Sequence, residues 1–180
     1  MYIAPVHFFI NSSVKRLALI AFLSGCSYAE TLAPIPDPVF SAMETLGMTE
    51  RTHRQELKEL TGVDPVRTEW CAAFVNAILD INNIPGSESV SQYPLTARSF
   101  LKWGVPVQEP MKGDIVVFPR GNQGWQGHVG FYISTYRDTN GTTYYVVLGG
   151  NQNDSVSYEL YPASSALSIR RHESAFSLRT

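Results

Sequence analysis

Three positions in this chain carry residue types that together can perform nucleophilic catalysis. Cys71 follows Trp70 at the predicted first turn of a helix. His128 opens a later apolar stretch, and Asn151 comes directly after two glycines. A thiol at a helix N-terminus, a histidine and a carboxamide can act as nucleophile, general base and orienting group. Cys71, His128 and Asn151 are therefore the candidate catalytic residues.

Each of these residues also has a structural interpretation. Cysteine is common in protein cores, a histidine at a strand start is often half-exposed, and an asparagine after Gly-Gly suits a turn. Gln152 is the alternative orienting group for His128 and a candidate substrate contact. The other predicted substrate contacts are Trp70, beside the thiol, and Trp125, in the Gly-rich loop before His128.

The hydrophobic pattern places these residues in helices that precede a sheet. Helices are predicted at residues 39–46 and 50–60, from residue 71 to the Pro85-Gly86 break, and at residues 96–103. Strands are predicted at residues 114–118, 128–134, 143–148, 156–158 and 167–171, with a tight hairpin at Asn140-Gly141. Helices followed by an antiparallel sheet indicate an α+β fold.

Residues 1–29 are predicted to be an export signal. Lys15 and Arg16 precede an apolar run that is too short to cross a membrane as a helix. Residues 23–26, Leu-Ser-Gly-Cys, resemble a bacterial lipoprotein box, which would make Cys26 the lipidated first residue of the mature protein.

Two further segments follow the predicted signal. Ordinary signal cleavage after Ala29 is the alternative to lipidation of Cys26. Residues 30–66 are predicted to form a Pro-containing tether and N-terminal helices, and residues 67–175 the main domain. In either case Cys71 is left as an unpaired thiol in an exported protein, which favours catalysis.

The composition argues against several classes of function. The 180 residues are 44% hydrophobic and 17% charged, with a net charge of -2 and no Lys/Arg cluster, so nucleic acid is not an expected partner. No Cys-x-x-Cys or His-Glu-x-x-His pattern is present. We therefore predict no metal site and no cofactor.

Five motifs, in order, resemble a known family. They are Trp-Cys-Ala-Ala-Phe at 70–74, the segment 96–104, Gly-Asp-Ile-Val-Val-Phe at 113–118, Gly-His-Val-Gly-Phe-Tyr-Ile at 127–133, and Leu-Gly-Gly-Asn-Gln-Asn-Asp-Ser-Val at 148–156. This order is similar to the CHAP and NlpC/P60 group of papain-like cysteine amidases and endopeptidases, which act on peptidoglycan.

The resemblance implies a papain-like fold, with N-terminal helices packed on a small antiparallel sheet. It also implies that Cys71 is the nucleophile, His128 the base and Asn151 the orienting carboxamide. Many CHAP enzymes place a glutamate two residues before that asparagine. Gly149 occupies this position here, so a four-residue catalytic set is not supported.

The function expected from the sequence is an exported peptidoglycan hydrolase that cleaves an amide or peptide bond by a Cys-His-Asn mechanism. The expected location is the periplasm or the outer membrane, with membrane contact only through a lipid on Cys26. A cognate inhibitor or immunity protein is left open as a partner, and the sequence does not identify one. The alternatives are a non-catalytic envelope module that binds wall peptide or a protein partner, and a structural protein with a Cys26–Cys71 disulfide.

Overall fold

The computed structural model describes residues 37–173. In this range three α-helices precede a six-stranded antiparallel sheet, which confirms the predicted α+β class. The predicted signal segment, the lipoprotein box with Cys26, and residues 30–36 of the tether lie outside the described residues.

The helices are α1 (Pro38–Met43), α2 (Arg54–Thr61) and α3 (Cys71–Ile81). The Asp37 side chain caps α1 by accepting a hydrogen bond of 3.0 Å from the Val39 N–H. Gly62 ends α2 with a φ of 73°, a left-handed conformation that glycine adopts without strain. The predicted helix at 96–103 is instead a 3-10 helix, Ala97–Lys102.

Helix α3 is the central helix of the described domain. Seven of its eleven residues are buried, because α1 and α2 contact it as well as the sheet. At its N-terminal end, Trp70 and Phe74 pack edge to face with ring centroids 6.2 Å apart. This packing sets the position of Cys71 relative to the strands.

The strands are β1 (Val105–Pro106), β2 (Ile115–Pro119), β3 (Gly127–Arg137), β4 (Thr143–Gln152), β5 (Ser155–Pro162) and β6 (Ser168–Arg171). Their order in the sheet is β1-β6-β2-β3-β4-β5, and all neighbours are antiparallel. The five predicted strands are all present, and β1 is an additional one. Strands β3, β4 and β5 are adjacent, so residues far apart in sequence meet at one end of the sheet.

Both faces of the sheet bury apolar side chains. One face packs against α3 through Val129, Phe131 and Leu148. The other face carries a smaller cluster that includes Phe118 and Val147. Strands buried on both faces hold a rigid backbone, which is a suitable frame for a precise site.

Residues 37–173 contain neither a membrane-spanning helix nor a metal-binding cluster. No helix in this range has the length and apolar character needed to cross a membrane. The same residues contain no group of three or more His, Cys, Asp or Glu side chains placed to hold a metal ion.

Candidate active site

Cys71 is the first residue of α3 and a free, buried thiol with 4% of its surface exposed. Burial raises the pKa of Cys71, because the charged thiolate is poorly solvated there. The backbone N–H groups of Val129 and Ala72 and the charge of Arg120 act in the opposite direction but do not outweigh burial. The helix N-terminus therefore does not produce the resting thiolate that its position suggests, and the resting group is the thiol.

His128 lies at the start of β3 and is 2% exposed. Its register partner on β2 is Phe118, and the Tyr161 ring on β5 stacks on the imidazole at 5.2 Å with an interplanar angle of 20°. Burial is the main cause that lowers the pKa of His128 to about 4. The imidazole is therefore neutral at neutral pH, as a general base must be.

Gln152 holds the imidazole in one orientation. Its Nε2 donates to the Ser157 backbone oxygen at 2.6 Å, so the amide group has its oxygen on the other side. That oxygen, Oε1, lies 3.0 Å from His128 Nε2 and accepts from the Tyr161 hydroxyl at 3.2 Å. Because Oε1 can only accept, the network assigns the imidazole proton to Nε2.

The other imidazole nitrogen, Nδ1, carries a lone pair that can accept a proton. His128 Nδ1 is buried and has no hydrogen-bond partner among residues 37–173. The protonated Nε2 leaves a lone pair on Nδ1. The Val129 N–H, next in the chain after His128, interacts with the Cys71 sulfur, which places the thiol beside this part of β3. Buried polar atoms are seldom left without a partner, and active sites are a recognised exception.

Asn151 does not contact His128 in this structure, which differs from the sequence-based expectation. Its Nδ2 donates to Glu69 Oε2 at 2.7 Å, and its backbone oxygen accepts from Arg120 Nη1 at 3.3 Å. The cause is a register irregularity in β4 between Gly149 and Gln152, where Asn151 adopts a φ of 57°. The bulge turns Gln152, not Asn151, towards the imidazole, so the orienting contact belongs to Gln152.

The two predicted aromatic substrate contacts occupy different environments. Trp70 is fully buried, and its Nε1 donates to Glu50 Oε1 at 2.7 Å. It supports α3 from the core, so the interpretation of Trp70 as a substrate contact is corrected. Trp125 is 65% exposed in the loop before β3, and its contact with substrate stays a prediction.

A cleft of about 210 Å³ opens beside the imidazole. It is lined by Pro119, Arg120, His128, Asn151, Gln152, Asn153, Glu159, Leu160 and Tyr161. Gly149 leaves room for the Gln152 side chain next to the imidazole. A Cβ at position 149 would lie 3.2 Å from Gln152 Oε1 and 3.4 Å from His128 Nε2.

Sequence reasoning missed two residues of the site. Tyr161 stacks on His128, donates to Gln152 and has its pKa raised to about 12 by burial, so its hydroxyl stays protonated. Arg120 directly follows β2, and its positive charge acts to lower the pKa of both Cys71 and His128. The alternation of polar and apolar residues along β5 was the available signal for Tyr161, whereas nothing local marked Arg120.

Residues 63–151 match the model of the CHAP domain. No curated protein sequence matches the chain. Among solved structures, a similarity is found to the crystal structure of a wild-type endolysin, LysIME-EF1, with a TM-score of 0.37 and 14% sequence identity, over 72% of this chain and 67% of that one. The match contains Cys71 and His128, and residues 63–151 belong to the CHAP domain family.

Proposed function

We propose that this protein is an exported cysteine hydrolase that cleaves an amide or peptide bond in peptidoglycan. CHAP family membership supports a peptidoglycan hydrolase in general. The single observation that carries the cysteine mechanism is the state of His128, whose Nε2 faces Gln152 while the buried Nδ1 has no partner among the described residues. A neutral, oriented imidazole with an unshared lone pair can serve as the base for a thiol that interacts with the next residue, Val129.

The first half of the reaction forms a thioester. The Cys71 sulfur attacks the carbonyl carbon while its proton passes to His128 Nδ1. The carbon–nitrogen bond then breaks, and the departing nitrogen takes the proton from Nδ1. Because the pKa of Cys71 is raised and that of His128 is lowered, we expect the resting pair to be neutral and proton transfer to accompany the attack.

The second half regenerates the thiol. A water molecule loses a proton to His128 Nδ1 and attacks the thioester carbonyl, and the sulfur leaves and recovers that proton. Gln152 holds the ring through both halves, because its Oε1 accepts from Nε2 in the neutral and in the protonated imidazole alike.

The helix N-terminus supplies stabilisation for the oxyanion. Trp70 provides no side-chain cap for α3, and no hydrogen bond among the described residues occupies the Cys71 backbone N–H. This N–H is therefore the proposed donor to the oxyanion formed at the attacked carbonyl.

The test is digestion of purified peptidoglycan followed by mass analysis of the soluble fragments. Wild type should release fragments with a new amine and a new carboxyl group, and Cys71→Ala should release none. Circular dichroism of Cys71→Ala serves as the folding control, since a small residue suits this Ala-rich helix start. Binding of wild type to peptidoglycan without any fragment release would reject the hydrolase and leave a binding module.

A further inference from the structure

Arg120 projects into the cleft beside the proposed catalytic residues. It follows β2 directly and lines the same cavity of about 210 Å³ as His128 and Gln152. Its side chain is 45% exposed. Its charge acts to lower the pKa of both Cys71 and His128, which agrees with its place beside His128 in the lining of the cleft.

Arg120 has unused hydrogen-bonding capacity. A guanidinium carries five N–H donors. Within residues 37–173, its one hydrogen bond goes from Nη1 to the Asn151 backbone oxygen at 3.3 Å. Its ion pair with Glu69 has a long separation of 3.6 Å and an exposed carboxylate, 79% accessible, so the pair is weak.

Glu69 does not depend on Arg120 for a partner. Its Oε2 also accepts a hydrogen bond of 2.7 Å from Asn151 Nδ2. Arg120 can therefore turn towards a ligand while Glu69 stays held by Asn151. A planar carboxylate in the cleft could accept two parallel N–H bonds from the guanidinium, a stronger contact than the one it replaces.

The charged side chains of the cleft favour one position for a ligand carboxylate. Glu159 also lines the cavity, and its carboxylate accepts from Asn153 Nδ2 at 2.8 Å. The Glu159 carboxylate repels an anion, whereas the Arg120 guanidinium attracts one. A ligand carboxylate in the cleft is thus favoured next to Arg120.

We propose that Arg120 is a specificity-determining residue that binds a free carboxylate of the wall peptide next to the scissile bond. This inference rests on the proposed peptidoglycan hydrolase function, because it names the feature of the substrate that the site selects. A peptide in which that carboxylate is converted to a carboxamide should bind less well, since the amide is uncharged and offers one acceptor oxygen in place of two.

The test measures binding and not turnover. Cys71→Ala is titrated by calorimetry with a soluble wall peptide bearing free carboxylates and with the same peptide carrying carboxamides. The carboxylate peptide should bind about tenfold more tightly, the size expected of one charge-assisted contact. In Cys71→Ala/Arg120→Gln this preference should disappear. Arg120→Lys should retain part of it, because the charge remains and the bidentate geometry is lost.

Arg137→Gln in the Cys71→Ala background is the matched control, since Arg137 lies at the far end of β3 and bonds only the hairpin oxygen of Gly141 among the described residues. It should keep the tenfold preference. Equal affinity for the two peptides in Cys71→Ala, or an unchanged preference after Arg120→Gln, would overturn the proposal. Failure of wild type to cleave either peptide bears on the proposed function alone, because the binding ratio is measured without cleavage.

Discussion

At the scale of single residues, the tautomer of His128 depends on which way the Gln152 amide group faces. The Gln152 Nε2 is committed to the Ser157 backbone oxygen, so Oε1 meets His128 and the lone pair of the imidazole lies on Nδ1. Tyr161 adds a second donor to Oε1 and covers the ring. A carboxamide fixed by backbone contacts thereby selects the tautomer in which Nδ1 can accept a proton.

Gln152→Ala should lower kcat by about ten- to a hundredfold, less than the roughly 10²–10⁴-fold loss expected for His128→Ala, because Gln152 orients the ring and transfers no proton. Asn151→Ala should have a smaller effect than Gln152→Ala, since its side chain bonds Glu69 and not His128. Steady-state kinetics on soluble wall fragments measure both. A crippled Asn151→Ala with an unaffected Gln152→Ala would return the orienting role to Asn151.

The burial of His128 also predicts how stability depends on pH. Its pKa is lowered from 6.5 to about 4, so between these values the unfolded chain binds a proton that the folded chain does not. The stability contribution is complete above pH 6.5 and is lost as the pH falls through the folded pKa, by at most about 3 kcal/mol.

Urea unfolding of wild type and His128→Gln between pH 4 and pH 7 measures this contribution. The free energy of unfolding should fall more steeply towards acid pH in wild type than in the variant. Parallel curves for the two proteins would show that the imidazole is not held neutral in the folded state.

At the scale of elements, the site depends on the contact between α3 and β4. Gly150 lies against the helix start, where an added Cβ would meet the Trp70 ring and lie 2.7 Å from Phe74 Cβ. Two buried aromatic side chains and a β4 backbone without a side chain thus set the distance between the thiol and the strands.

Gly150→Ala should lower the free energy of unfolding by about 1–3 kcal/mol, the usual range for overpacking a core. Gly124→Ala is the control, because a Cβ at Gly124 meets nothing within 4 Å. Chemical denaturation measures the free energy of unfolding of both variants and of wild type. Equal stability of all three proteins would mean that α3 and β4 are not in close contact here.

The helices and strands could be predicted from the sequence, whereas the irregularity in β4 could not. Periodicity and turn residues predicted α3 and strands β2 to β6, and Cys71 and His128 are both buried at the start of α3 and β3. Strict alternation along β4 cannot say whether Asn151 or Gln152 faces His128, because one irregular residue exchanges them. The contact of Tyr161 with His128 depends on strand order, which the alternation along β5 does not specify.

At the scale of the whole molecule, three neighbouring strands contribute side chains to the cleft, and one helix supplies the proposed nucleophile. His128 comes from β3, Gln152 from β4 and Tyr161 from β5, and Cys71 begins the helix that covers this part of the sheet. The site therefore forms only when the long-range pairing of the sheet is complete, and residues 63–151 alone omit Gln152 and Tyr161.

The cellular location of the protein is a prediction about the whole molecule. If Cys26 is lipidated, wild type should follow the membrane and detergent fractions, held by the several acyl chains of a bacterial lipoprotein. Cys26→Ala should be soluble in the periplasm or remain uncleaved. Recovery of soluble wild-type protein that begins at Glu30 would establish cleavage after Ala29 and a freely diffusing enzyme.

The most direct test of the central claim is interception of the thioester on Cys71. A soluble wall peptide is digested in the presence of hydroxylamine, and the carbonyl-side product is identified by mass spectrometry. A thioester reacts with this nucleophile, so wild type should yield the hydroxamate in proportion to the hydroxylamine concentration, and Cys71→Ala should yield no product. Cleavage by wild type that gives only the free acid at every hydroxylamine concentration, or cleavage by Cys71→Ala, would contradict the mechanism.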